Sequence, residues 1–418
     1  MLAMQSERTA PAVDFLEKRR AQDFGEELRR TGWYHSIELP DGSITPGYLK
    51  LETLRERFAE FPLPADLSGK RILDIGTWDG WFAFEAERRG ADVVAIDNVE
   101  QENFRWAHRA LGSRVRYEIA EVYELREKRF EPFDYVLFLG VLYHLRHPLL
   151  ALEMVCEATK EIAIVDSFIV EDDNSRSPIP WMEFYEGTEL SNQVDNWCGP
   201  TIPCLLAMCR AAGFARAELI SVKDQHARVA CYRRWEPAIA EAGVEAPVVT
   251  GVANARANDY GINFRTSKEE YMTAWFRSDE AGLRREDMRP EVSGLGSPAV
   301  ALNHYGGRDW HVSFALPRGL APGWHEVRIR TARSGFSNVS RIAVDMPVVA
   351  ERVELKAICD ALTWRDGEVA IGADGSGYAC LWIAGLAENC DRNNVRAYAG
   401  GRRLTTDFVS PGGAGSRR

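Results

Sequence analysis

A glycine-bearing turn set between two short apolar runs, spanning Arg71 to Asp97, restricts what this chain can fold into more than any other segment. Ile72, Leu73 and Ile75 form an apolar run that stops at Gly76. An amphipathic stretch follows, with Phe82, Phe84 and Ala86 set among Glu85, Glu87, Arg88 and Arg89, and Gly90 closes it. A second apolar run, Val93 to Ile96, ends at Asp97. The pattern predicts strand, turn, helix and strand: a βαβ unit with glycines in its first turn and an acid at the tip of its second strand.

That layout suits a nucleotide-like ligand. Glycines in the first turn let the backbone approach a ligand where a side chain would collide, and an acid about twenty residues on can accept bonds from ribose hydroxyls. The turn reads Gly76-Thr77-Trp78-Asp79-Gly80, with a tryptophan where a dinucleotide loop carries its middle glycine. A diphosphate fits such a loop poorly. An adenosine with a phosphate-free amino acid tail, as in S-adenosylmethionine, fits it better. A dinucleotide enzyme and a ligand-free structural βαβ unit remain the alternatives.

At 418 residues the chain exceeds one typical core, so two or three domains are expected. Its 51 basic and 62 acidic residues leave a formal charge of −11, which lowers the expectation of a polyanionic partner, because nucleic-acid affinity is carried mainly by cations on phosphate. Residues Met1 to Arg30 show no apolar core of a secretory signal, and no run of eighteen apolar residues occurs, so a cytoplasmic location and no membrane partner are expected. The eight cysteines include no CxxC pair and are irregularly spaced, which predicts buried thiols, no metal site and no disulfide framework.

Along the chain, Asp14 to Arg30 has helical spacing and reads as part of an N-terminal helical cap over residues 1–68. Trp33, Tyr34 and His35 precede a Pro40-Asp41-Gly42 turn signal and are candidates either for a packed cap or for the wall of a substrate pocket. The main domain is expected over 69–235. Its third strand ends near Glu121, placed to meet an adenine amino group, and its fourth ends at Gly140. Next comes Val141-Leu142-Tyr143-His144-Leu145-Arg146-His147-Pro148, which gathers Tyr143, His144, Arg146 and His147 at the carboxyl edge of the sheet. A long insertion carrying Trp197 follows a fifth strand, and long ordered loops after strands commonly belong to a site. Strands at Arg216 to Val222 and Ala227 to Trp235 complete a seven-stranded set whose last two members form a hairpin.

Three segments carry a family resemblance: Leu73-Asp74-Ile75-Gly76-Thr77-Trp78-Asp79-Gly80, the run from Phe138 through Leu149, and Asn196-Trp197. The chain resembles, over about Trp33 to Trp235, the class I methyltransferases grouped with the bacterial tRNA wobble-uridine (5-hydroxyuridine) methyl- and carboxymethyltransferases. The Gly-Val-Leu-Tyr-His run is specific to that group, whereas the glycine loop is generic. The resemblance implies a Rossmann-like, seven-stranded α/β domain and S-adenosylmethionine as cofactor, with Asp74, Gly76, Thr77, Gly80, Asp97, Glu121 and Gly140 around it. Relatives that use carboxy-S-adenosylmethionine hold its extra carboxylate with a lysine and a tryptophan ahead of the first strand, a tyrosine matching Tyr143 and an arginine far downstream. Only Tyr143 is clearly retained, and Trp33 to Gly42 contains no lysine, which favours ordinary S-adenosylmethionine.

Methyl transfer from a sulfonium is an in-line displacement that needs alignment, exclusion of water and, for a hydroxyl acceptor, a base. His144 or His147 could serve as that base, His144 being preferred, with Tyr143 and Arg146 orienting the acceptor and Trp33, Tyr34, His35, His147 and Trp197 around it. The expected acceptor is a hydroxyl of a small molecule or sugar. A tRNA wobble uridine and a non-catalytic methyltransferase-like protein with binding modules are the rival readings.

From about residue 246 the composition shifts to short alternating segments punctuated by glycine and proline, predicting β-sandwich (Ig-like) modules. Trp275 and Trp382 lie 107 residues apart, as do Arg285 and Arg392, each pair in similar surroundings. The agreement predicts two copies of one module, over 246–346 and, truncated, over 347–418. A truncated copy leaves an open strand edge, and a homo-oligomer is one way to cover it.

Overall fold

A computed structural model describes residues 32–128, 130–170, 179–255, 261–347, 353–374, 376–392, 394–407 and 409. The helix expected over Asp14 to Arg30 lies outside the described residues, as do Asn393, Phe408 and Pro411 to Arg418. The chain divides into two compact units, one of residues 1–212 and 216–233, the other of residues 213–215 and 234–418.

In the first unit the predicted alternation of apolar runs and amphipathic stretches is realised in order. Helix α1 (Leu51–Ala59) precedes β1 (Arg71–Ile75), α2 (Trp81–Arg88), β2 (Asp92–Asp97), α3 (Glu102–Leu111), β3 (Arg116–Ile119), β4 (Phe133–Leu139), α4 (Pro148–Ala158) and β5 (Thr159–Phe168). A two-stranded ribbon, β6 (Met182–Phe184) with β7 (Cys198–Pro200), then leads into α5 (Ile202–Ala211), β8 (Arg216–Lys223) and β9 (His226–Tyr232). The main sheet has the order β3-β2-β1-β4-β5-β9-β8. Strands β1 to β5 pair in parallel, while β9 runs antiparallel to both β5 and β8. This is the Rossmann-like class I arrangement, and its strand order reverses between β1 and β4, where open α/β sheets bind ligands.

Burial on both faces explains the composition of the central strands. Ile72, Leu73, Val136, Leu137 and Phe138 have no exposed surface, as parallel strands covered by helices require. On one face Phe104 of α3 lies between Phe84 of α2 and Tyr117 of β3, with ring centroids 5.1 and 4.1 Å away. Trp33, Leu54, Phe58, Phe61 and Phe82 belong to the same core. No disulfide joins the eight cysteines, six of which are buried.

The second unit begins with β10 (Val248–Asn254), β11 (Asn263–Phe264) and β12 (Tyr271–Arg277), followed by β13 (Glu291–Val292), β14 (Leu295–Gly296), β15 (Ala299–Gly306), β16 (Asp309–Ala315), β17 (Gly323–Arg328) and β18 (Ser340–Val344). They form sheets of order β10-β12-β16-β15 and β11-β18-β17-β13-β14. Met272, Phe276, Val312 and Phe314 of the first meet Phe264, Val327, Ile342 and Val344 of the second in one core, a two-sheet sandwich. The short β11 pairs in parallel with β18. Beyond it, the described residues form two separate ribbons, β19 (Glu354–Asp360) with β20 (Ala379–Ala384) and β21 (Ala397–Ala399) with β22 (Arg402–Leu404). The β10–β12 and β19–β20 pairs contain Trp275 and Trp382, and each is interrupted by one bulge, at Val249/Gly251 and Leu355/Ala357.

Candidate active site

The turn after β1 is built from left-handed backbone. Gly76, Trp78 and Gly80 have φ of 72°, 51° and 91°. The strain at Trp78, a non-glycine residue, is held in place because its N–H donates to Asp97 Oδ2 at 3.0 Å. Thr77 Oγ1 donates to Asp74 Oδ2 at 2.7 Å. Asp74 is fully buried, and that burial, with Asp97 nearby, pushes its carboxyl up to about 7. The loop thus returns the acid at the tip of β2 to the glycine turn, joining two features that are separate in sequence.

Glycine serves here in two different ways. A Cβ on Gly76 would sit 2.3 Å from Val141 Cγ2, and one on Gly80 would sit 2.5 Å from Phe104 and 2.7 Å from Phe84. The space expected to admit a ligand at those two positions is filled by packed side chains. Gly140, at the tip of β4 with φ of 73°, is the one that opens: a Cβ there would meet only the Tyr143 hydroxyl, at 3.8 Å. The cradle lies between the ends of β1 and β4, walled by Tyr143, with Asp97 at the neighbouring strand tip. The room beside Gly140 and the carboxylate of Asp97 are what an adenosine would use there. Glu121 is exposed at the head of a single 3-10 turn, Val122–Glu124, where its N–H donates to Glu124 Oε2 at 2.9 Å.

The Trp33 region divides. Trp33 and His35 are each only 5 % exposed. Trp33 packs edge-on against Trp106, and His35 against Phe82, so both sit in the core instead of on a pocket wall. Burial holds His35 far below the usual histidine range, at about 3, which keeps it neutral. Tyr34 points outward at 44 % exposure and lies against two further exposed rings, Tyr48 and Trp78. What binds this segment to the glycine loop is Asp79, whose Oδ2 accepts the N–H groups of Tyr34 and His35 at 2.6 and 2.7 Å.

On the other side stands the turn after β4. The carbonyl of Tyr143 accepts the Trp197 N–H at 2.7 Å, which brings the insertion down over it. The guanidinium of Arg146 lies 3.9 Å above the Trp197 ring. His144 Nδ1 is 3.2 Å from the Asp195 carbonyl oxygen, and burial lowers its pKa. His147 is exposed, its backbone N–H donating to the Tyr123 hydroxyl at 3.2 Å. Burial, then the nearby Tyr34 hydroxyl and Asp166 carboxylate, raise the Tyr143 phenol well above its ordinary value.

Three residues that sequence reasoning passed over, Asp166, His226 and Arg228, complete the group. His226 Nδ1 lies 2.6 Å from Asp166 Oδ1, and Arg228 Nε donates to Asp166 Oδ2 at 3.0 Å. Arg228, itself 1 % exposed, also donates to Glu60 Oε2 at 2.7 Å. A signal for them was present: Asp166 is the one charged residue closing the Ile162-Ala163-Ile164-Val165 run, and an Asp224-Gln225 hairpin turn sets His226 beside it. Both turn residues adopt left-handed φ, of 54° and 58°, and Gln225 accepts the Ile169 N–H at 2.9 Å.

Comparison with known proteins agrees with this geometry. Residues 48–200 match the methyltransferase domain family. Among curated relatives, the tRNA U34 carboxymethyltransferase of Pseudomonas paraeruginosa (strain DSM 24068 / PA7) is 31% identical over 173 residues, covering 39% of this chain and 52% of the relative. That of Pseudomonas fluorescens (strain SBW25) is 29% identical over 163 residues, covering 38% and 49%. The chain therefore spans about half the length of the curated relatives it matches. Among solved structures, the N-terminal domain of EvdMO1, in the presence of SAH and D-fucose, aligns at 19% identity with a TM-score of 0.39, covering 51% of this chain and 95% of that one. Residues 48–200 thus match a methyltransferase domain, on a sheet with the class I strand order.

Proposed function

We propose that this protein methylates a hydroxyl group of a small molecule or sugar. The observation that carries this reading is the charge of the acceptor side. The segment 179–200, which folds over Tyr143, exposes Glu183, Glu186, Glu189 and Asp195 and contains no lysine or arginine. Such a rim repels phosphate and tolerates a neutral or cationic acceptor.

The cofactor, when bound, supplies a sulfonium-activated methyl group. The chain's residues then bind, orient and exclude water. Gly140 leaves room beside Tyr143, Asp97 would accept from the ribose hydroxyls, and Glu121 would meet the adenine. Thr77 and Asp74 keep the loop in shape beneath them. Tyr34, Tyr143 and Arg146 orient the acceptor, with Trp197 closing the side that faces the insertion. A base must take the hydroxyl proton as the new carbon–oxygen bond forms.

A second reading, methylation of a wobble uridine in tRNA, is favoured by the curated relatives named above. Incubation of purified protein with methyl-labelled S-adenosylmethionine and, separately, a deproteinised metabolite extract or total tRNA separates the two. Label entering metabolites supports the first reading, and label entering only tRNA replaces it with the second. Absence of cofactor binding by calorimetry ends both.

A further inference from the structure

The group at the ends of β4, β5 and β9 contains two histidines, and their partners differ. His144 has a carbonyl oxygen at 3.2 Å and the Asp195 carboxylate, 69 % exposed, at 3.6 Å. His226 has the Asp166 carboxylate, 9 % exposed, at 2.6 Å. Asp166 is held in turn by buried Arg228, so its orientation is fixed from behind. The main chain fixes it too, because the Asp166 carbonyl accepts the Gly140 N–H at 3.0 Å, tying it to the cradle. The His226 ring stands edge-on to Tyr143 at 5.6 Å and is 29 % exposed.

Resting on the methyltransferase reading above, we infer that His226 is the general base for the methyl acceptor, with Asp166 and Arg228 as its positioning residues. With Nδ1 donating to Asp166, Nε2 is the nitrogen left to accept a proton, and among the described residues it has no hydrogen-bond partner. In the step, the acceptor O–H bond breaks and its proton passes to His226 Nε2. The oxygen lone pair forms the new O–CH3 bond, and the S–CH3 pair returns to sulfur, leaving S-adenosylhomocysteine. The imidazolium then releases its proton to water. Geometry favours this histidine over its neighbour: His226 lies 2.6 Å from a buried carboxylate that Arg228 holds in place, whereas His144 has only a carbonyl oxygen at 3.2 Å and the exposed Asp195 carboxylate at 3.6 Å. The charged and titratable groups around His226 are Asp166 on β5, Arg228 on β9, Lys223 opposite it on β8, and Tyr143 and His144 on the turn after β4.

Two measurements test this. His226→Gln and Asp166→Asn are compared with the unaltered protein for transfer of labelled methyl into the metabolite extract between pH 5 and 9, alongside S-adenosylhomocysteine affinity by calorimetry. General-base catalysis predicts that His226→Gln lowers transfer by about 100-fold or more and removes the fall in rate toward acid pH, with cofactor affinity within about two-fold. A loss below about three-fold, or an unchanged pH profile, overturns the assignment. The second measurement needs neither a variant nor an acceptor: diethylpyrocarbonate modification of the unaltered protein, mapped by peptide mass. Modification of His226 that is slowed at least five-fold by S-adenosylmethionine supports the inference, and an unreactive or unprotected His226 overturns it. Failure to bind cofactor counts against the methyltransferase reading instead; where calorimetry shows binding, the modification result decides the place of His226 even if no acceptor is found.

Discussion

Asp74 offers a prediction whose sign and size both come from the structure. Its carboxyl is raised from the ordinary 3.8 to about 7, chiefly by complete burial. In the folded protein the group keeps its proton to higher pH than in the unfolded chain. Between about pH 4 and pH 7 the folded state therefore binds one proton more, and stability falls as pH rises. The contribution is fully present below pH 4 and is lost by the time pH passes 7. About three pKa units at 1.36 kcal/mol each set an upper limit of about 4 kcal/mol for the loss. Asp74→Asn keeps the shape and the acceptor for Thr77 Oγ1 but removes the titration. Urea unfolding of cofactor-free protein at pH 5 and pH 8, read by hydrogen exchange in peptides covering β1 and β2, confines the measurement to the first unit. The unaltered protein should lose stability from pH 5 to pH 8 relative to the variant, by an amount on the order of 2–3 kcal/mol. Parallel behaviour of the two proteins, within about 0.5 kcal/mol, would refute the argument that burial governs this carboxyl.

Two further substitutions probe the loop. Gly76→Ala places a Cβ 2.3 Å from Val141 Cγ2 at a φ of 72°, and should cost about 2 kcal/mol; adding Val141→Ala should recover part of the loss, and no recovery would locate the cost in the backbone alone. Asp79→Ala strands the N–H groups of Tyr34 and His35 that its carboxylate accepts, and should cost about 3 kcal/mol while raising hydrogen exchange of residues 33–48 selectively. Unchanged exchange in that segment would show that the core around Trp33 holds it without the carboxylate.

The glycine loop, the acid at Asp97 and the strand ending at Gly140 were legible in the sequence because each rests on local rules: apolar runs of strand length, glycine at left-handed positions, polar residues at strand ends. Tyr143, Arg146 and Trp197 were legible as candidates for the same reason. The partition between site and core was not. Trp33 and His35 have the composition of a pocket wall, yet they are buried against Trp106 and Phe82, because the fate of an aromatic depends on which surface the fold brings over it. Gly76 and Gly80 look alike in sequence to Gly140, but only a packed structure shows that Val141 and Phe104 occupy the space beside the first two.

Sequence alone determined the nucleotide-type βαβ unit and favoured a ligand without a diphosphate, since a tryptophan stands in its turn where a dinucleotide loop carries its middle glycine. Tertiary structure decided which side chains meet at the ends of β4, β5 and β9. Asp166 and His226 are sixty residues apart, and Asp166 and Glu60 more than a hundred, so no spacing rule relates them. They meet because β9 inserts antiparallel beside β5, placing Phe168 opposite His226 and Asp166 opposite Arg228. Register between strands distant in sequence is a property of the assembled sheet, fixed by how its two faces bury their side chains.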